Sequence, residues 1–179
     1  MEVAVVFHSR FGHTQKLAES IAQGVKEEGL HYYLTSVEEL NWDRLDSVQG
    51  MIFGAPTYMG SASAEFKSFM DATSMRWLNQ TWRDKVAAGF TNSFGMSGDK
   101  LNVLIQLAIF ATQHGMLWVG QAEMNQSTDS LSLNRLGSHL GLMAQSDNAP
   151  ADITPPTGDL QTARCFGARV ATITRQFYR

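Results

Sequence analysis

Two hydrophobic periods alternate along this chain, and the points where one gives way to the other mark its elements. Val3 to Phe7 is a short, β-branched apolar run that ends in His8-Ser9-Arg10-Phe11-Gly12, the pattern of a buried strand running into a turn. From Thr14 the spacing becomes helical: Leu17, Ala18, Ile21, Ala22 and Val25 recur on one face, Lys16, Glu19, Gln23, Lys26 and Glu27 take the other, and Gly29 suits the stop. His31 to Val37 alternates as a second strand. Met51-Ile52-Phe53 before Gly54-Ala55-Pro56 predicts a third. Ser63 is placed to cap a helix carrying Phe66, Phe69 and Met70 at i, i+3 and i+4. Val86 to Phe90 predicts a fourth strand, Asp99 to His114 a helix apolar on most sides, and Met116 to Val119 a fifth strand. A last helix runs from Thr157 through Leu160, Ala163, Phe166, Val170 and Ile173.

Strands alternating with helices predict an α/β fold, a doubly wound five-stranded parallel sheet with helices on both faces. Residues 122–156 carry weak periodicity and are expected to form a long loop lying over a site or an interface. The 179 residues are then one domain, 1–179, with that loop inserted. The net charge of −3 provides no cationic field for nucleic acid or an anionic membrane surface. No apolar run approaches the roughly 18 residues of a membrane span. The single Cys165 and an opening without a leader pattern lead us to expect a cytoplasmic protein.

In such a sheet, ligands bind at the carboxyl ends of the strands, so three loops carry the candidate chemistry. Ser9-Arg10-Phe11-Gly12-His13-Thr14 joins a strand to a helix N-terminus. Free amides, two hydroxyls and a glycine that lets backbone approach suit a monophosphate. The segment has neither the G-x-x-x-x-G-K-[ST] of a P-loop nor the G-x-G-x-x-G of a dinucleotide fold. Pro56-Thr57-Tyr58-Met59-Gly60 offers backbone donors and an aromatic face for a flat heterocycle. Ser93-Phe94-Gly95-Met96-Ser97-Gly98 can cradle a second edge of the same ring. Trp77 is a candidate pocket wall, and His114 closes its helix before Gly115. The five histidines show no metal-binding spacing, and no G-x-S-x-G elbow is present.

Taken together these loops resemble the flavodoxin-like FMN proteins, and within them the WrbA type of NAD(P)H:quinone oxidoreductase. The resemblance rests on Ser9 to Thr14, on Gly54-Ala55-Pro56-Thr57-Tyr58-Met59-Gly60 continued through Phe66, Phe69 and Asp71-Ala72-Thr73, on Trp77, on Gln113-His114-Gly115-Met116, and on Asp159-Leu160-Gln161-Thr162-Ala163-Arg164 with Gly167. It implies strand order 2-1-3-4-5 and bound FMN held by the three loops and His114. It also implies NAD(P)H as donor, a quinone or similar aromatic acceptor against Phe11 and Trp77, and a homo-oligomer, dimer or tetramer. Tyr58 stands where that family usually has Arg, and Gln113 where it has a second His. The other readings are a one-electron carrier of the flavodoxin type, which is generally far more acidic than −3, and an NADPH-dependent FMN reductase.

Overall fold

The computed structural model describes residues 1–179. Five strand positions form one parallel sheet: β1 (Glu2–Phe7), β2 (His31–Ser36), β3 (Gly50–Tyr58), β5 (Val86–Ser93), and a last position shared by β6 (Leu117–Trp118) and β7 (Leu142–Gln145). The short β4 (Ser61–Ala62) folds back antiparallel on the end of β3. The order across the sheet is β2-β1-β3-β5-β6, which is the expected 2-1-3-4-5 once β4 is counted as a hairpin arm. Val5 lies between Leu34 and Ile52, and Ile52 lies beside Ala88, so the central register is set by apolar residues on consecutive strands.

Alternate residues of β1 enter opposite cores. Val3, Val5 and Phe7 pack with α1 (His13–Glu27) and α6 (Thr157–Phe177), while Ala4 and Val6 face the side covered by α2 (Trp42–Ser47), α3 (Ala64–Ala72) and α5 (Lys100–Gln113). The two clusters hold 20 and 18 buried residues, so both faces are covered almost equally. That is why the strands read as continuous apolar runs rather than alternating ones. α2 and the five-residue α4 (Ser74–Leu78) are too short to leave a periodic signature.

The expected loop at 122–156 is corrected in one respect. The chain leaves the sheet after Trp118, makes an excursion, and returns at Leu142 to pair with Phe90, so the edge position is one strand cut in two. The excursion is pinned to itself: Trp118 Nε1 donates to Leu140 O (2.8 Å), the Gln121 amide to His139 O (2.9 Å), and Asn134 Nδ2 to Glu123 O (2.8 Å) and Ser138 O (3.1 Å). What remains, residues 146–156, is a strand-to-helix connection at the carboxyl edge. No helix is long and apolar enough to cross a membrane, and no group of His, Cys, Asp or Glu is arranged to hold a metal ion.

Candidate flavin site

The chain turns from β1 to β2 on one side and to β3 on the other, so a crevice opens at the carboxyl ends of β1 and β3 where the winding reverses. A cavity of about 630 Å³ lies there, within the range of small-ligand sites. Its floor is the first loop. Gly12 has φ +87°, a left-handed value that a side chain would strain, and a Cβ on it would come within 2.9 Å of the Ala151 Cβ. The Gln15 amide donates to Ser9 Oγ (3.1 Å), whereas the amides of Arg10 through Thr14 find no acceptor in the chain. α1 thus opens without a cap from its N-cap residue Gly12, and of its first-turn amides only that of Gln15 is taken up, by Ser9. This is the arrangement that receives a phosphate.

Pro56, Thr57 and Tyr58 line a second wall from the end of β3, with Thr57 Oγ1 fixed 2.8 Å from Thr91 Oγ1. The turn that follows is a β-hairpin rather than a strand-to-helix turn. Met59 (φ 49°) and Gly60 (φ 75°) occupy its two central positions, the geometry that matches strand twist. Met59 is therefore fully exposed at the tip, and neither it nor Gly60 lines the cavity. Burial pushes the Tyr58 phenol up, and the Arg10 guanidinium pulls in the opposite direction. His8 Nδ1 and Ser63 Oγ share a hydrogen bond of 2.9 Å that ties the root of the first loop to the start of α3.

From the third loop only Ser93 and Phe94 reach this cavity. Gly95 and Gly98 lie behind them, and Met96 and Ser97 face a separate surface groove with Leu101 and Ile105. The wall also contains Asn92, which the sequence reading left out, and Ser146 through Pro150 from the connection after β7, the part of the 122–156 stretch that does lie over the site. Their place depends on the split strand, which brings residue 146 alongside Ser93, where the Ser146 amide donates to Ser93 O (3.1 Å). His13 Nε2 donates to Ala149 O (2.8 Å), closing the fourth loop onto the first.

Trp77 and His114 stand apart from this cavity. They border a second one of about 650 Å³ with Lys67, Met70, Gln106 and Phe110. The reason is topological: α5 runs back against the strands, so its last turn arrives at their amino ends, where Leu117 N donates to Lys85 O. His114 is buried against Trp82 and Phe110. The Thr73 hydroxyl donates to Met70 O (2.7 Å), so His114 Nε2 must donate to Thr73 Oγ1 (2.9 Å). His114 Nδ1 is left as a buried acceptor without a partner. Burial, with Arg76 nearby, lowers its pKa to about 4, so the ring is neutral.

The open amides, the two hydroxyls and a slot flanked by Tyr58, Phe11 and Phe94 fit a flavin mononucleotide in charge and size. Comparison with known proteins agrees. Residues 41–129 match the family model of NADPH-dependent FMN reductases. The chain is 41% identical to flavodoxin FldP of Pseudomonas aeruginosa over 99% of its own length and 98% of that protein. It is 29% identical to an NAD(P)H dehydrogenase (quinone) of Archaeoglobus fulgidus, covering 96% of each. Among solved structures, a flavodoxin, WrbA-like protein from Agrobacterium tumefaciens superposes with a TM-score of 0.77 at 41% identity, covering 98% of both chains. The chain belongs to the WrbA-type flavodoxin-like FMN proteins, a family of flavin oxidoreductases.

Proposed function

We propose that the chain is an FMN-dependent NAD(P)H:quinone oxidoreductase in which the nicotinamide nucleotide and then a quinone or similar flat acceptor use the open side of one cavity in turn. Bound FMN supplies the chemistry, taking up a hydride equivalent and passing on two electrons. The protein's part is to hold and to select. The amides of Arg10 to Thr14, with the Ser9 and Thr14 hydroxyls, hold the phosphate. The ends of β3 and β5, with residues 146–150, hold the ring.

The observation that carries this reading is the mouth of the cavity. Phe11 and Phe94 are both about two-thirds exposed there, and Arg10 lies 5.8 Å from the Phe11 ring centroid. Asp147 is the one carboxylate among the lining residues. Exposed aromatic rings beside a guanidinium suit a flat ring carried by an anionic nucleotide. A carrier that docks on cationic partners wants a collar of carboxylates instead.

The carrier reading is kept because the relative at 41% identity is named a flavodoxin. Anaerobic addition of NADPH or NADH to FMN-loaded protein separates the two. Bleaching of the flavin, followed by recovery when a benzoquinone is added, is the expected result. No bleaching, with reduction by dithionite in two resolved one-electron stages, establishes the carrier. Free FMN as an alternative acceptor tests the flavin-reductase variant. The half-exposed Trp77 and the exposed Leu101, Ile105 and Ile109 along α5 support a homo-oligomer, which sedimentation of the FMN-loaded protein tests.

A further inference from the structure

Lys100, the first residue of α5, is fully buried, and three features of its position oppose a positive charge there. Burial strips its water, it lies at the positive pole of a helix, and Arg135 is a neighbouring cation. Packing alone would favour an apolar side chain at this position. The ammonium is nevertheless aimed at one target, the loop that reaches the flavin cavity. Lys100 Nζ donates to Ser93 Oγ (2.8 Å) and to Gly95 O, and thereby holds both ends of the segment that presents Phe94.

A second layer braces the same segment. Gln145 Nε2 donates to Phe94 O (3.0 Å) and Asp147 Oδ1 (2.9 Å), and Arg135 Nη2 donates to Gln145 Oε1 (2.9 Å). Arg135 is itself paired with buried Asp159 through Nε to Oδ1 (2.7 Å) and Nη2 to Oδ2 (3.1 Å). The charged groups facing Lys100 are thus Asp159 from α6 and Arg135 from the excursion, while its chain neighbour Asp99 is exposed.

We propose that Lys100 is the positioning residue of the flavin site, whose ammonium clamps Ser93 and Gly95 so that the Phe94 segment is preset for FMN. The proposal rests on the cavity being the flavin site. A charged donor makes hydrogen bonds roughly twice as strong as a neutral amine, and a cation beside the cavity also favours an anionic ligand. Both effects fade when the ammonium loses its proton, and burial brings its pKa down to about 8.

The test is FMN affinity by fluorescence quenching from pH 7 to about 9.5, on wild type and Lys100→Met, together with thermal melts of both apoproteins. Within this window the FMN phosphate, with a second pKa of about 6, is already about nine-tenths or more dianionic. Burial pushes the Tyr58 and Cys165 groups up, and the terminal amine lies at the far end of β1. Wild-type affinity should fall about fivefold across the range, while Lys100→Met should be about fivefold weaker at pH 7 and flat. Apoprotein stability should move the opposite way. The unfolded lysine keeps its proton up to about 10.5 while the folded one loses it at about 8, so this group makes the wild type more stable as pH rises, and Lys100→Met lacks that gain.

Opposed pH slopes for affinity and stability are the mark of a positioning role, because a merely structural lysine would change stability with pH and leave affinity flat. A flat wild-type affinity profile overturns the proposal, as do parallel profiles in wild type and variant. If Lys100→Met does not fold, the wild-type affinity slope decides alone, because Lys85, whose pKa burial also lowers, adds to the wild-type stability slope. Failure of the wild type to bind FMN at pH 7 overturns the flavin reading instead.

Discussion

Replacing Asp159 by Asn is expected to cost about 3–5 kcal/mol of folding stability, far more than the loss of one surface ion pair. Asp159 is 1% exposed, and its two oxygens receive three donors: Arg135 Nε, Arg135 Nη2 and the Gln145 amide at 2.9 Å. An Asn side chain keeps at most part of this set and removes the only carboxylate facing two buried cations, Arg135 and Lys100. The penalty is therefore that of uncompensated buried charge rather than of the lost bonds alone. Set against a total stability of about 5–15 kcal/mol, the change leaves a marginal protein. At about 2–4 °C per kcal/mol for a chain of this size, the melting temperature should fall by roughly 6–20 °C. Urea unfolding followed by circular dichroism gives the number. The double variant Arg135→Met/Asp159→Leu should recover only the Arg135 share, since well-packed apolar residues often replace a buried pair without loss, whereas Lys100 and the Gln145 amide still lack the carboxylate. A single-variant loss below about 1 kcal/mol, or one that vanishes in moderate salt, would refute the reasoning by showing that water already screens the pair.

Gly12→Ala strains a left-handed residue by about 1–2 kcal/mol and presses on Ala151, so FMN affinity should drop about tenfold. An unchanged dissociation constant would remove the first loop from the phosphate site. His114→Gln should flatten the acid limb of stability. The folded imidazole titrates at about 4 and the unfolded one at about 6.5, so wild-type stability contributed by this group is present above pH 6.5 and is lost as pH falls toward 4. Melts that run parallel from pH 4 to 7 would contradict the neutral tautomer. Trp77→Ala should leave FMN affinity of the dilute protein within about twofold, because Trp77 borders the second cavity. A tenfold loss there would put the indole against the flavin.

What could be read from sequence follows from local physics. A strand covered on both faces must be apolar throughout, a helix packed on one face must repeat every three to four residues, and a phosphate loop must offer free amides beside a glycine. Those rules place β1, α1, β3, α5, α6 and the cavity floor at residues 9–14 from the chain alone, while the sheet order came from the family resemblance. They do not reach Leu142–Gln145, whose four residues are too few to show a period, and whose identity as a strand depends on Phe90 lying opposite Leu142. They mark 122–156 as a stretch lying over a site but not which part of it does so: Ser146–Pro150 line the cavity only because that strand completes the sheet edge. Lys100, Arg135 and Asp159 look like ordinary charges at a helix start, in a polar stretch and in a first helical turn. Only tertiary packing buries them together, and buried charge is where distance and dielectric, rather than sequence spacing, set the energy. His114 and Trp77 show the converse. Their motif was legible, but α3 with α4 carries Trp77, and α5 carries His114, back toward the amino ends of the strands, and chain direction is a property of topology. The cavity floor was thus written locally, whereas its walls and the buried charges behind them exist only once distant segments meet.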